Sequence, residues 1–501
     1  PIEKGLYAIT GQNGSGKSTI TACASSVFFN LPIKQYFGKT EDDAFIEFRL
    51  GESTRVWKQV NGSWSKSSNG PIMNIKGFFE GTNTSTADTF SLTADYNYTD
   101  TGTAYMGAET QTHDTLNINL NGHNLNKTSL VMTVNTGAKT LNVNGGNTQG
   151  STDLNFNVAT GGKLNVSGKT DLKGNVTNAG NVKFTDETRV EGILSGAGSY
   201  TNSGIMTVAD TSKLQMTNGL ENTGTLNLGN STNSVLGTNI TGNGTTVIAG
   251  NVSNANGKTI TQNALNITGT LTTDLEKLNI TNNINNNGIF IVNSGTLAKN
   301  IAGTGTVKLG GTMNVFENKS IEGTLDGNGK ILNMTNNAVG SPINSLMVGT
   351  LKGNTDLQLD VDLNRLTSDM ILANAVDSGA NINVKSINIT ADNTAGMPTA
   401  SNIIFITESG DTPTHGTYSV NGATGSITMT NTHTYKFEIG GSGILKCSEI
   451  GGSTATFKDF IEGTGTGADT FSLTDNFNYT DTGTANMAAG TQSHNTLNIN
   501  L

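Results

Sequence analysis

A short phrase recurs about every 21 residues between positions 130 and 310, and this period constrains the fold more than any other feature. Each phrase begins with a glycine among small or polar residues and continues as an alternating run, as in TGGKLNV (160–166) and NTGTLNL (222–228). The marker glycines are Gly137, Gly161, Gly180, Gly204, Gly224, Gly244, Gly269, Gly288 and Gly305. Self-similarity at such a period is typical of proteins in which each repeat stacks on the next.

The residues after each marker glycine alternate between apolar and polar, which predicts short strands with one buried face. The inward positions are expected at Val182, Phe184, Met206, Val208, Leu226 and Leu228. Leucine-rich repeats share this length, but their L-x-x-L-x-L pattern and following helix are missing. The predicted fold class is therefore mainly β, a parallel β-solenoid (β-helix) with about three short strands in each coil of about 21 residues. Neighbouring coils would pair at about 4.8 Å.

The composition agrees with long ladders of hydrogen-bonded strands. Only 6 of 501 residues are proline, which lacks the N–H that a ladder needs. Charged residues make up 14% of the chain, against about 25% in ordinary globular proteins. A disordered polar chain is the alternative, but disorder does not explain the alternation after each glycine.

The net charge of −10 without a basic stripe argues against a nucleic-acid partner. No apolar run approaches the roughly 18 residues that a membrane-spanning helix needs, so no membrane span is expected. The two cysteines, Cys23 and Cys447, cannot form a disulfide framework.

The front of the chain carries a different signal. GQNGSGKST (11–19) matches the phosphate-binding pattern G-x-x-x-x-G-K-[ST] between an apolar run and a segment able to form a helix. Lys17 would reach the β- and γ-phosphates of ATP, and the Ser18 hydroxyl would be a ligand of Mg²⁺. The predicted nucleotide-binding residues are Gly11, Asn13, Gly14, Ser15, Gly16, Lys17, Ser18 and Thr19.

Three alternating runs follow and predict an antiparallel meander: AFIEFRL (44–50), RVWKQV (55–60) and GSWSK after Asn61-Gly62. Residues 1–80 resemble the N-terminal lobe of P-loop ATPases of the ABC and SMC type, which implies a partial α/β lobe. The acidic residues that hydrolysis needs are not found, because NIIFITE (402–408) has Thr407 where the family has Asp. LSGAGS (194–199) lacks the helix that should follow an ABC signature. No catalytic residue is predicted.

A larger repeat is also present. Residues 87–120 return as residues 468–501 without a gap, and 26 of the 34 positions are identical. The phrases N-x-G-x-L-x-L and D-L-N…S-D-M-I-L-A in residues 83–501 resemble autotransporter passenger domains, which are surface β-helices of Gram-negative bacteria. This resemblance implies a cell-surface or secreted adhesin, whereas a genuine ATPase start would imply the cytoplasm.

Four parts are predicted along the chain: an ATPase-like lobe (1–82), solenoid repeats (83–350), a distal β-rich part (351–450) and the truncated start of a second large repeat (451–501). IKGFFEGT (75–82) and FKDFIEGT (457–464) both precede ADTFSLT or its near copy. We therefore expect the chain to be a fragment and a chimera, joined near Glu80–Thr82.

Catalytic chemistry in the solenoid has one weak candidate. Asp360 and Asp362 are two residues apart, which places both on one face of a strand and suggests either an acid pair or a solvated face. The histidines His113, His123, His415, His433 and His494 have no metal-ligand spacing. The predicted function is thus a non-enzymatic surface β-solenoid without a cofactor of its own. The alternative is an ATP-binding P-loop protein with a repeat appendage.

Overall fold

The structure, a computed structural model, describes the chain in segments: 45–50, 53–60, 63–67, 75–82, 88–97, 100–126, 130–134, 138–229, 234–336, 343–391, 399–420, 426–429, 433–452, 457–463, 470–473, 484–488 and 490–500. The chain divides into two compact units. Unit 1 comprises residues 1–206 and 215–218, and unit 2 comprises 207–214 and 219–501.

The predicted antiparallel meander is confirmed at the front of unit 1. Its strands are β1 (Phe45–Leu50), β2 (Ser53–Val60) and β3 (Ser63–Ser67), and β2 pairs antiparallel with both neighbours. The second connection is Asn61-Gly62, a dipeptide that favours tight hairpin turns.

The rest of unit 1 is a parallel β-solenoid in which each coil contributes one short strand to each of three sheets. It begins with the helix α1 (Ile75–Glu80). The strands are β4 (Thr89–Ser91), β5 (Tyr96–Asn97), β6 (Gly102–Tyr105), β7 (Thr115–Asn119), β8 (Asn124–Asn126), β9 (Leu130–Val134), β10 (Thr140–Asn144), β11 (Gly150–Thr152), β12 (Asn155–Val158), β13 (Lys163–Ser167), β14 (Thr170–Leu172), β15 (Val176–Asn178), β16 (Asn181–Phe184), β17 (Glu187–Val190), β18 (Leu194–Gly196) and β19 (Ser199–Asn202).

Sheet 1 has the order β4-β7-β10-β13-β16-β19, sheet 2 the order β5-β8-β11-β14-β17, and sheet 3 the order β6-β9-β12-β15-β18. In sheet 1, equivalent residues of five coils lie one above another: Leu116, Leu141, Leu164, Val182 and Tyr200. By this register the four intervals are 25, 23, 18 and 18 residues, with a mean of 21. The predicted β-solenoid and its coil length are confirmed.

The core of each coil is narrow and consists of inward-facing apolar side chains. All six positions predicted to face inward are buried: Val182, Phe184, Met206, Val208, Leu226 and Leu228. Coils lie so close at some corners that only glycine fits. An added Cβ at Gly192 would overlap the carbonyl oxygen of Gly174, and one at Gly174 would overlap that of Leu154.

Unit 2 continues with parallel pairing, after strands β20 (Ile205–Val208) and β21 (Leu214–Met216), which lie where the chain passes between units. The described part of unit 2 includes 3₁₀ turns at Thr211–Lys213 and Leu275–Lys277. The strands of its short-strand coils are β22 (Leu220–Asn222), β23 (Thr225–Leu228), β24 (Ser234–Val235), β25 (Ile240–Thr241), β26 (Thr245–Ile248), β27 (Asn251–Ser253), β28 (Ile260–Gln262), β29 (Ala264–Ile267), β30 (Thr270–Thr273), β31 (Leu278–Ile280), β32 (Ile284–Asn286), β33 (Ile289–Val292), β34 (Gly295–Thr296), β35 (Ile301–Ala302), β36 (Thr306–Leu309) and β37 (Met313–Asn314).

The later coils of unit 2 have longer strands and end in antiparallel hairpins. The strands are β38 (Lys319–Asp326), β39 (Lys330–Asn333), β40 (Ser345–Lys352), β41 (Asn354–Asp362), β42 (Thr367–Ser368), β43 (Met370–Val376), β44 (Asn381–Ala391), β45 (Ser401–Ile404), β46 (Ile406–Glu408), β47 (Thr417–Val420), β48 (Ser426–Met429), β49 (His433–Gly441) and β50 (Ile444–Gly452). The change occurs at β38, which pairs with both β35 and β36 and so merges two short strands into one.

The end of the described chain is a helix, α2 (Phe457–Glu462), followed by strands β51 (Thr470–Leu473) and β52 (Asn498–Asn500). Strand β51 pairs parallel with β48 and β52. The predicted domain boundaries at 82, 350 and 450 stay predictions. Helix α1 nevertheless contacts the duplicated segment that follows it, through hydrogen bonds from Gln111.

Candidate functional site at a polar corner groove

The corner between sheets 1 and 2 of unit 1 carries a groove with a cavity volume of about 610 Å³. In the coil of β10 and β11 this corner takes five residues, 145–149, whereas the next two coils turn in two residues each, 168–169 and 185–186. The longer corner adds Asn147 to the groove lining. The groove is also lined by the side chains of Asn144, Lys169, Thr185, Asp186, Glu187 and Ile205.

Glycine makes the short turn at residue 168 possible. Gly168 has a φ of +62°, a conformation that residues with a Cβ rarely adopt, and an added Cβ would lie 2.6 Å from the backbone nitrogen of Gly146. Its own N–H donates to Oδ2 of Asp186 in the following coil at 2.9 Å. The turn therefore holds the exposed carboxylate of Asp186 at the groove, and Gly168 places no side chain over it.

The groove combines one ammonium group with two carboxylates. Nζ of Lys169 lies 3.5 Å from Oε2 of Glu187, and both side chains are about half exposed. Thr185 Oγ1 donates to Asp186 Oδ2 at 3.3 Å. This carboxylate therefore accepts two hydrogen bonds from groove residues, one from Thr185 and one from the N–H of Gly168. Beside the groove, burial raises the pKa of Asp171, which accepts a 2.8 Å hydrogen bond from Gln149.

An amide ladder runs along the outward face of sheet 1 next to this corner. Nδ2 of Asn142 donates to Oδ1 of Asn117 at 2.8 Å, and Nδ2 of Asn165 donates to Oδ1 of Asn142 at 2.8 Å. The ladder exists because in-register parallel coils bring identical residues into contact. It gives this face a row of oriented neutral dipoles with the spacing of the coils.

The groove offers hydrogen-bond donors from ammonium and amide groups, and acceptors from carboxylate and amide groups. Ile205, 49% exposed at the end of the groove, adds an apolar contact. Such an array suits a ligand that is rich in hydroxyl groups, which both donate and accept. Sequence reasoning missed this groove. Its signal was the spacing of the marker glycines, which is 24 residues from Gly137 to Gly161 but 19 from Gly161 to Gly180.

The expectation of a solvated face for Asp360 and Asp362 is wrong. Asp360 is 1% exposed and Asp362 is 7% exposed, because strand β41 is covered on both sides where it ends. Asp360 instead lies beside Asp369, which is fully buried and which the sequence did not single out. Asp362 forms a separate contact with Arg365 Nη1 at 3.4 Å.

The other predicted site residues have mixed outcomes. The nucleotide-binding residues Gly11 to Thr19, with the proposed Mg²⁺ ligand Ser18, lie outside the described residues. The backbone N–H groups of His113 and His494 donate to equivalent glutamines, Gln111 and Gln492, each at 2.9 Å. The two equivalent positions of the large repeat therefore have the same backbone contact.

Two further observations concern the residues that the structure describes. Among them, no group of three or more His, Cys, Asp or Glu side chains is arranged to hold a metal ion. Within the same residues, no helix has the length and apolar character that crossing a bilayer requires.

Comparisons with known proteins give one similarity in fold. No protein-family model matches the chain, and no curated protein matches it. Among solved structures, the chain is similar to the crystal structure of the Haemophilus influenzae Hap adhesin, with 15% sequence identity and a TM-score of 0.38. The similarity covers 70% of this chain and 51% of that chain, so this chain spans about half of its length. None of these comparisons supports the resemblance of residues 1–80 to P-loop ATPases. The fold assignment rests on the strand pairing and burial described above.

Proposed function

We propose that the protein is a non-enzymatic β-solenoid of the bacterial cell surface, or a secreted one, that acts as an adhesin. In this proposal it binds a saccharide chain on a neighbouring surface. The observation that carries the proposal is the corner groove of unit 1, which holds Lys169, Asp186 and Glu187 at fixed positions on successive coils.

The solenoid favours such binding because its side chains are already ordered. Backbone ladders above and below each coil fix the turn that carries Asp186, and its carboxylate is held by the N–H of Gly168. A ligand then loses less affinity to the ordering of the site than it would on a flexible loop. Hydroxyl groups would donate to Asp186 and Glu187 and accept from Lys169 and Asn147.

The test measures binding of the full chain to an array of immobilised neutral and acidic polysaccharides. For a saccharide that binds, we expect Lys169→Met and Asp186→Asn each to weaken binding about tenfold, which corresponds to about 1.4 kcal/mol. Lys163→Met is the matched control, because Lys163 is exposed at the start of strand β13, whereas Lys169 lies in the corner that follows the end of this strand. Binding that both groove variants leave unchanged, or no binding to any saccharide, would overturn the proposal.

An ATP-binding protein remains the second candidate, because Gly11, Gly16, Lys17 and Ser18 match the phosphate-binding pattern. Saturable, Mg²⁺-dependent ATP binding that Lys17→Ala abolishes would support it. The absence of ATP binding by the unsubstituted chain would count against it.

We also propose that the ATPase-like front and the solenoid were joined by recombination or by sequence assembly near Glu80–Thr82. The repetition of IKGFFEGT (75–82) as FKDFIEGT (457–464) motivates this proposal. A peptide spanning residues 70–95 in mass spectrometry would show that the joined chain exists. Sequencing reads that never cross this point would identify an assembly error.

A further inference from the structure

The two copies of the large repeat fold alike. Gln111 Nε2 donates to the carbonyls of Phe78 and Phe79, both at 3.1 Å, at the end of helix α1. In the second copy, Gln492 Nε2 donates to the carbonyls of Phe460 and Ile461 at 3.0 and 3.1 Å. The helix and its glutamine therefore form one structural module that occurs twice.

The first strands of the two copies also pair alike. In copy one, β4 pairs parallel with β7, with Phe90 opposite Ile118. In copy two, β51 pairs parallel with β52, with Phe471 opposite Ile499. These positions differ by the same offset of 381 residues that relates the two sequences.

The other edge of this first strand differs between the copies. Strand β51 pairs along that edge with β48, with Ile427 opposite Phe471 and Thr428 opposite Ser472. Strand β4 is the last strand of sheet 1 among the residues that the structure describes. Among the residues that the structure describes, the module therefore has a strand docked on its front edge in the second copy and none in the first.

The hydrogen bonds of β4 identify the groups at this front edge. The backbone carbonyl of Asp88 accepts from the N–H of Asn117 at 2.8 Å, and the N–H of Leu92 donates to the backbone carbonyl of Asn119 at 2.9 Å. Alternate residues of a strand bond to opposite neighbours, so the N–H groups of Thr89 and Ser91 point away from β7. They correspond to Thr470 and Ser472 in β51, which pairs with β52 in the register of β4 with β7, so we expect the same two N–H groups to point towards β48.

We propose that the front edge of β4 docks strand β48 of a second copy of this chain. The pairing is parallel and repeats the register of copy two, with Ile427 of the second molecule opposite Phe90 and Thr428 opposite Ser91. Within each chain, β48 is already paired with β51. Docking therefore replaces β51 by β4 of another molecule, which is the equivalent strand of the near-identical first copy. Such an exchange replaces each lost contact by an equivalent one, and it links molecules head to tail.

The first test measures the mass of the full chain by sedimentation velocity. Ser472→Pro removes the N–H that holds β51 on β48 and should shift the chain towards dimers and larger species. Ser91→Pro, the equivalent change in β4, should leave the mass of the otherwise unsubstituted chain as it is. The double variant should have the mass of the unsubstituted chain again, because β4 can then no longer pair with the β48 strand of another molecule.

Two results would overturn the proposal: a Ser472→Pro chain with no change of mass, or a double variant that associates as strongly as the single one. The second result would indicate non-specific aggregation.

A cross-link tests the register without any proline. Chains carrying Ser91→Cys are mixed with chains carrying Thr428→Cys under oxidising conditions. Directly opposed residues of paired strands lie about 5 Å apart, within the range that a disulfide spans. We expect a disulfide between the two kinds of chain, and much less of it when Ser91→Cys is replaced by Thr93→Cys. Equal yields from the two positions would contradict the register.

Discussion

Asp360 and Asp369 are joined by two hydrogen bonds, in each of which a backbone N–H group donates. The N–H of Asp360 donates to Oδ2 of Asp369 at 2.7 Å, and the N–H of Asp369 donates to the carbonyl of Asp360 at 2.9 Å. The Asp369 carboxylate also accepts from the N–H of Asn344, and the Asp360 carboxylate accepts from the N–H of Asn336 and from Nδ2 of Asn388. Two carboxyl groups are thus buried side by side. Because burying an ionised carboxylate is unfavourable, this burial should raise the pKa of both groups.

We predict that unit 2 loses stability as the pH rises towards neutrality. Burial raises the pKa of Asp369 to about 7 and also raises that of Asp360. A raised folded-state pKa means that the contribution is fully present below the unfolded value of about 4 and is lost as the pH rises through about 7. We expect a loss on the order of 2 kcal/mol in the free energy of unfolding between pH 5 and pH 8, measured by chemical denaturation.

Asp369→Asn should remove most of this pH dependence. The variant should also be less stable at pH 5, because its Nδ2 group faces one of the two backbone N–H donors. Asp356→Asn is the matched control, since Asp356 lies on β41, the strand of Asp360, but forms a partly exposed ion pair with Lys385 at 3.2 Å. A slope that survives Asp369→Asn unchanged would show that other groups cause it.

We predict that Gln111 attaches helix α1 to the first coil. Gln111→Ala removes two donors to buried carbonyls and the acceptor for the His113 N–H, which should cost about 2 kcal/mol locally. Hydrogen exchange of residues 75–80 should then accelerate about thirtyfold. Gln111→Glu should be at least as damaging, because a carboxylate would face two carbonyl oxygens.

The second copy supplies the matched control for this prediction. Gln492→Ala should accelerate exchange in residues 457–462 and leave residues 75–80 unaffected, because each glutamine contacts only its own helix in the described contacts. Acceleration in both helices from either substitution would mean that the effect spreads through the molecule.

We predict that Gly192→Ala is strongly destabilising although Gly192 needs no unusual backbone angle. The added methyl group would overlap the carbonyl oxygen of Gly174 in the preceding coil, and the ladder between coils leaves that oxygen no room to move. Overpacking of this kind typically costs about 1–3 kcal/mol. Gly490→Ala is the control, because an added Cβ there meets nothing within 4 Å. Equal denaturation midpoints for the two variants would contradict the crowding.

The fold could be predicted from the sequence because each coil repeats one local pattern. Val182 and Phe184 are both apolar, are two residues apart and follow a glycine, and this pattern alone places them inside. The site could not be predicted in the same way. Asp186 and Lys169 belong to different coils, and their proximity depends on how many residues each corner takes.

The buried pair Asp360 and Asp369 shows a second reason why sites in this protein could not be predicted from its sequence. Asp369 follows Ser368 at a point where β41 folds back on β42, and no pattern of single residues marks that turn as buried. The sequence drew attention to Asp362 instead, because regular strand geometry places residues i and i+2 on one face. The partner of Asp360 is determined by how residues that are distant in sequence pair between strands. A local sequence pattern does not contain this information.

We predict that the amide ladder of sheet 1 is directional. Asn142 donates through Nδ2 to Asn117 and accepts through Oδ1 from Asn165. Asn142→Asp keeps the acceptor but places a carboxylate against the Asn117 oxygen, which should lower the free energy of unfolding by about 1–2 kcal/mol at pH 7. Below pH 4 the protonated carboxyl group can donate to Asn117, so the stability gap to the unsubstituted chain should narrow.

Asn181→Asp provides the comparison, because the Asn181 side chain accepts from Ser199 Oγ and a carboxylate accepts equally well. Its stability should follow that of the unsubstituted chain across the same pH range. The two variants place the same new charge on the outward face of sheet 1, on strands β10 and β16. If both lose the same stability at pH 7, the general charge of this face is responsible. If only Asn142→Asp loses stability and regains it in acid, the direction of the ladder is responsible.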